Sequence, residues 1–220
     1  MMISPETFYE MRLKGKNEAE IMSVIRSLKH EIGRLKNIVE HPDYASREVA
    51  MFPSETTRIS CSRFYLERAI QALKEAGGKY VPSIAEQKAM EFESNIPYIS
   101  KITFYIGGFL DGYNTRTYII DKNMVRMTKA FSYVPEADTI GQGKVERIYK
   151  QWFLEGIKDL RIGEWRRKYD CRQFGCFVMD GTQWELEFHF SNGHKPVKIC
   201  GDNAYPYNFD HLLDLLGIEE

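Results

Sequence analysis

The run Trp184-Glu185-Leu186-Glu187-Phe188-His189-Phe190 alternates strictly between apolar and polar residues. Successive side chains of a strand point to opposite faces, so Glu185, Glu187 and His189 share one face while Trp184, Leu186, Phe188 and Phe190 share the other. Two carboxylates and an imidazole side by side are ordinary ligands of a divalent metal and ordinary carriers of a proton. This strand is therefore the place where a metal-assisted hydrolase or nuclease would be built. The competing reading is structural: a sheet covered on one face turns polar residues outward on the other.

A second candidate is basic and aromatic. Residues 144–172 hold Lys144, Arg147, Lys150, Lys158, Arg161, Arg166, Arg167, Lys168 and Arg172 against five acids, a local net charge of +4. Trp165 and Tyr169 flank the Arg166-Arg167-Lys168 run. Cations grip phosphates and aromatic rings stack on bases, so Lys144, Arg147, Lys150, Trp165, Arg166, Arg167, Lys168 and Tyr169 are the binding candidates for nucleic acid or an acidic protein. The last twenty residues contain no Lys or Arg and five acids, which can neutralise the basic segment within the fold.

The remaining chemistry is sparse. Cys171 and Cys176, with His194 and Cys200 further on, lack the paired C-x-x-C spacing of a zinc site, and Cys61, Cys171, Cys176 and Cys200 are read as thiols, mostly buried. No phosphate-binding G-x-x-x-x-G-K-[ST], dinucleotide G-x-G-x-x-G, G-x-S-x-G elbow or H-E-x-x-H occurs. The balance favours a binding protein over an enzyme, and no cofactor is expected.

The elements that must position these residues are legible by period. Ile21, Ile25, Leu28, Ile32, Leu35 and Val39 recur at alternating steps of four and three, the period of a coiled-coil seam. Asn17 and Glu20 form a capping box at its start, and Pro42 stops it, which predicts a helix from about Glu18 to about Glu40. Ile59, Leu66, Ile70 and Leu73 predict a second helix ending at Gly77-Gly78. The pair is expected to form an antiparallel hairpin over residues 1–80; the alternative is a seam that pairs two chains as a homodimer. Residues 81–98 read as a linker with a short helical piece.

From Lys101 the period changes to two, and residues 99–220 read as an α+β domain with an antiparallel sheet. Strands are predicted over 101–106, 115–120, 124–131, 174–179, 184–190 and 196–200, the last three as a meander joined by Asp180-Gly181 and Asn192-Gly193. Val145, Ile148, Tyr149, Trp152, Phe153, Ile157 and Leu160 predict a covering helix opened by Gly141 to Gly143, and Asn208 is placed as the cap of a last helix ending at Gly217.

The 220 residues carry 28% charged side chains and a net charge of −1, which excludes disorder and removes any whole-molecule attraction to nucleic acid or anionic membrane. The start has no apolar run of signal-peptide length and no stretch spans a membrane, so a cytoplasmic location and no membrane contact are expected.

Asp180-Gly181-Thr182-Gln183-Trp184, the following strand, and Asn203-Ala204-Tyr205-Pro206-Tyr207-Asn208-Phe209 resemble a pattern of uncharacterised proteins from low-GC Gram-positive bacteria, often in mobile-element or phage-related regions. The resemblance covers about the last 120 residues. It implies no activity and no site residues. Together with the missing catalytic motifs it suggests a binding protein of a mobile element, such as an anti-CRISPR-like inhibitor of a host defence nuclease. Its partner would be a protein or ribonucleoprotein, met through the hairpin and the basic segment.

Overall fold

Asn17 does what the capping-box spacing predicts: its side chain accepts from the Glu20 backbone N–H at 3.0 Å, and Glu20 accepts from the Asn17 N–H at 2.9 Å. The computed structural model describes residues 3–44, 52–135, 146–176, 178 and 181–218. They fall into two compact units, 1–82 and 83–220.

The first unit is helical. α1 (Pro5–Arg12), which the sequence reading did not anticipate, is capped by Ser4 and buries Phe8, whose ring stacks on Tyr65 at 4.4 Å. α2 (Glu18–Val39) and α3 (Glu55–Glu75) then pair. Ile21 and Ile25 pack with Ala69, Ala72 and Leu73, while Glu31 meets Arg58 at 2.7 Å further along, so the two helices run antiparallel. The heptad seam is thus buried inside the chain, with Ile32 and Leu35 continuing it. α3 stops where Gly77 takes φ +89°, and the Gly77 and Gly78 N–H groups reach back to the carbonyls of Lys74 and Leu73. That pair of bonds satisfies the last turn, and a side chain at Gly77 would strain it.

The second unit is α+β. Residues 83–98 belong to it and are not a linker: Ser83 and Glu86 form a capping box for α4 (Ile84–Asn95), which buries Ala89 and Phe92. The Phe92 ring meets Phe188 edge-on at 5.2 Å. Two buried apolar residues in twelve make a weak helical stripe, which is why the sequence shows only a short helical piece within a linker.

The sheet contains β1 (Ile99–Gly108), β2 (Gly112–Ile120), β3 (Met124–Ser132), β4 (Glu146–Tyr149), β5 (Lys168–Asp170), β6 (Gln183–Phe190) and β7 (Val197–Asp202). Their order is β4-β3-β2-β1-β6-β7-β5, antiparallel except for the parallel pair β5 and β7. β1 to β4 form a meander, and β6 returns to pair with the free side of β1, which places β1 at the middle of the sheet. One face of the sheet carries Ile102, Phe104, Tyr118, Val125, Trp184, Leu186, Phe188 and Ile199, all buried. α5 (Lys150–Asp159) and α6 (Phe209–Leu215) contribute Phe153, Ile157, Phe209, Leu212 and Leu213 to that core. Burying a side chain of this size stabilises by about 1.5–3 kcal/mol, so the apolar face accounts for the layer arrangement. Trp184 also donates to the Ala204 carbonyl at 3.0 Å, and it packs so closely on Gly201 that a side chain there would collide with the indole.

Three local expectations are corrected. The covering helix begins at Lys150; Glu146 to Tyr149 form the edge strand β4, because β3 offers an unpaired ladder with which they pair. Residues 174–179 are not a strand among the described residues: Cys171–Phe174 is a 3-10 turn closed by Gly175 at φ +77°. The strand beside β6 is instead β1. Asn208 stands at the start of α6 but does not cap it, since its side chain accepts from Trp165 Nε1 at 3.1 Å and donates to the Leu160 carbonyl at 3.0 Å. Gly141 to Gly143, Val145 and Asp180 lie outside the described residues.

Candidate functional site

β6 puts Glu185, Glu187 and His189 on one face, as the alternation requires, but the neighbouring strands decide what they do. Glu185 is 8% exposed and sits between Lys198 of β7, at 2.7 Å, and the Tyr105 hydroxyl of β1, which donates to it at 3.4 Å. The bond to Glu185 pushes the Lys198 ammonium above its usual range, and burial followed by the Glu185 charge does the same to the Tyr105 phenol. Glu187 faces His189 at 3.5 Å. The three groups therefore split into an ion pair and a separate contact. Among the described residues no group of three or more His, Cys, Asp or Glu is placed to hold a metal ion.

Of the four thiols only Cys171 is buried, with its Sγ directed at the Cys176 carbonyl; Cys61, Cys176 and Cys200 are half-buried, contrary to expectation.

The basic and aromatic segment divides in two. At its C-terminal end Trp165 is buried and bonded to Asn208, while Tyr169 is buried against Trp184 and accepts the Arg166 N–H at 3.0 Å. Neither ring face is offered to a base, so the stacking role expected of Trp165 and Tyr169 does not fit their placement. Arg166, Arg167 and Lys168 are exposed. Arg172 grips the Asp170 carboxylate with Nε and Nη2 at 2.9 and 2.8 Å, and Lys168 stands 3.3 Å from it. These bonds, that of Arg172 first, hold the Asp170 carboxyl well below the usual range. Local charge is thus partly consumed by an acid of the same segment.

At the N-terminal end the aromatic rings turn outward. Tyr149 closes β4 and is 75% exposed; Trp152 lies in the first turn of α5 and is 57% exposed. Phe153, Ile157 and Leu160 follow the helical repeat into the core, and Trp152, one residue earlier, falls about 100° off that face. The backbone fixes the corner: the Lys150 N–H donates to the Asn123 carbonyl at 3.2 Å, tying the helix start to the β2–β3 turn.

A broad, shallow groove of about 840 Å³ results, with Tyr149 and Trp152 set among Lys122, Lys150 and Lys158. None of these three ammonium groups is in an ion pair with any described residue. The only carboxylate lining the groove among the described residues is Glu155, which accepts from Gln151 Nε2 at 3.1 Å. On the other side of Trp152 a smaller hollow of about 310 Å³ carries Asp159, Asp214 and His211.

Of the sequence-predicted binding residues, Lys150 lines the groove and Arg147 is exposed on β4, register-paired with Arg126. Lys144 lies outside the described residues. The spacing alone places Tyr149 and Trp152 on the covering helix's apolar stripe and gives Lys122 no binding role. The signal for Lys122 was its place in the Asp121-Lys122-Asn123 turn, which the hairpin brings to the start of α5.

The chain matches no protein-family model, no curated protein and no solved structure. Among the described residues no helix is long and apolar enough to cross a membrane.

Proposed function

We propose that this chain is a non-catalytic binding protein whose second unit contacts a nucleoprotein partner through the groove around Tyr149 and Trp152. The observation that carries the reading is the exposure of two large aromatic rings among three ammonium groups, none of which is in an ion pair with a described residue. Exposed aromatic side chains beside cationic ones are the composition of nucleic-acid-binding surfaces, and lone exposed apolar residues elsewhere need no explanation. The resemblance of the C-terminal residues to mobile-element proteins supports one concrete version, an inhibitor of a host defence nuclease.

The test is affinity capture of the tagged protein from its host background, with and without nuclease treatment, comparing two triple variants. Lys122→Glu, Lys150→Glu and Lys158→Glu together are expected to lower partner recovery about tenfold or more, since each contact to a charged group is worth about 1.5–3 kcal/mol. Arg166→Ala, Arg167→Ala and Lys168→Ala together serve as the comparison, and are expected to lower it less. Full recovery with the lysine variant removes the groove from the contact surface.

A further inference from the structure

We infer that the groove takes a single-stranded polynucleotide, the nucleic-acid component of the partner; this rests on the binding role proposed above. Three observations converge. Lys122, Lys150 and Lys158 against the single carboxylate of Glu155 leave the described lining with an excess of positive charge, which selects a polyanion. Tyr149 and Trp152 present open ring faces at the same place, and no described aromatic residue stacks on either. Bases inside a duplex are already stacked and cannot reach such rings, whereas the splayed bases of a single strand can. Asn123 stands beside them with an amide donor and acceptor for base edges, and Gln151, whose Nε2 donates to Glu155, adds its carbonyl as an acceptor. An acidic peptide satisfies the ammonium groups and can bond the amides, but it brings no series of flat rings to the two exposed ring faces.

The strand's course is bounded. Asp159 and Asp214 in the hollow beyond Trp152 repel phosphate, so the backbone is held to the lysine side and the bases turn toward the rings. Ribose and deoxyribose strands share this chemistry, and the two are separated by experiment.

The measurement is titration of the full chain at low salt, about 50 mM, with short fluorescein-labelled oligo-dT, oligo-rU and an oligo-dT/oligo-dA duplex. Intrinsic tryptophan emission is followed in parallel. The chain has three tryptophans, and Trp165 and Trp184 are buried, so quenching on addition of unlabelled oligonucleotide reports Trp152. The expected result is binding of one or both single strands with quenching, the duplex at least about tenfold weaker, and a loss of about tenfold in Trp152→Ala. The Lys122→Glu, Lys150→Glu and Lys158→Glu variant should bind neither strand. Comparison of oligo-rU with oligo-dU, which differ only in the 2′-hydroxyl, names the sugar.

Absence of quenching and binding with both strands, or equal binding of the duplex with Trp152→Ala unchanged, overturns the inference. If the oligonucleotides fail while the lysine variant still loses its captured partner, the groove docks on protein: the inference falls and the binding role stands. If the oligonucleotides bind as expected while capture is indifferent to the lysines, the inference stands and the partner is met elsewhere. Circular dichroism and an unchanged unfolding midpoint confirm that each variant is folded.

Discussion

Two stretches of the second unit, 147–158 and 165–172, share a vocabulary of lysine, arginine, tyrosine and tryptophan, yet one turns its rings out and the other turns them in. The difference lies in what stands opposite. Trp165 finds an acceptor in Asn208 and Tyr169 finds the Arg166 N–H, so each ring is buried with its polar atom satisfied. Tyr149 and Trp152 sit where an edge strand becomes a helix, off the stripe that Phe153 and Ile157 carry into the core. A buried aromatic needs a partner for its polar tip, and its absence or presence separates structural from available rings better than composition does.

The comparison is broken most severely at Trp165. Trp165→Ala removes a buried ring and leaves Asn208 without its donor, and should cost about 3–5 kcal/mol in urea unfolding. A cost near zero would mean that the ring is not structural. Asn208→Ala comes next: it orphans the Trp165 indole N–H and the Leu160 carbonyl and should cost about 1–3 kcal/mol.

Asp170 gives a smaller effect, visible as pH dependence. Its folded carboxyl titrates below the unfolded value of about 3.9, so the stability it contributes is complete above that value and is lost as pH falls further. Asp170→Asn should therefore flatten the decline in unfolding midpoint below about pH 4, and an unaltered acid limb counts against the Arg172 fork. The smallest effect belongs to the outward ring: Trp152→Ala should change stability by no more than about 0.5 kcal/mol while the binding assays respond.

Legibility from sequence followed the same division. The seam of α2, the cap at Asn17, the alternation of β6 and the break at Lys101 are local periodic signals, and each element stands where its period placed it. β4 escaped because Ile148 and Tyr149 fit a helical stripe equally well, and only the open edge of β3 decides between the two. Glu185 read as a metal ligand because the cross-strand neighbour that occupies it, Lys198, is set by register rather than by distance along the chain. The groove stayed hidden for the same reason, since Lys122 and Lys158 meet only after the sheet and helix have formed.

The position of β1 has a bearing on how the molecule is made. Its two neighbours are β2, which follows at once, and β6, whose Glu185 lies eighty residues beyond Tyr105. During synthesis the meander of β1 to β4 therefore leaves the ribosome with the middle of the future sheet still bare, its backbone donors and acceptors on one side waiting for a segment not yet translated. The unpaired edge of β1 is thus most open to mispairing in the interval before Gln183 to Phe190 emerge.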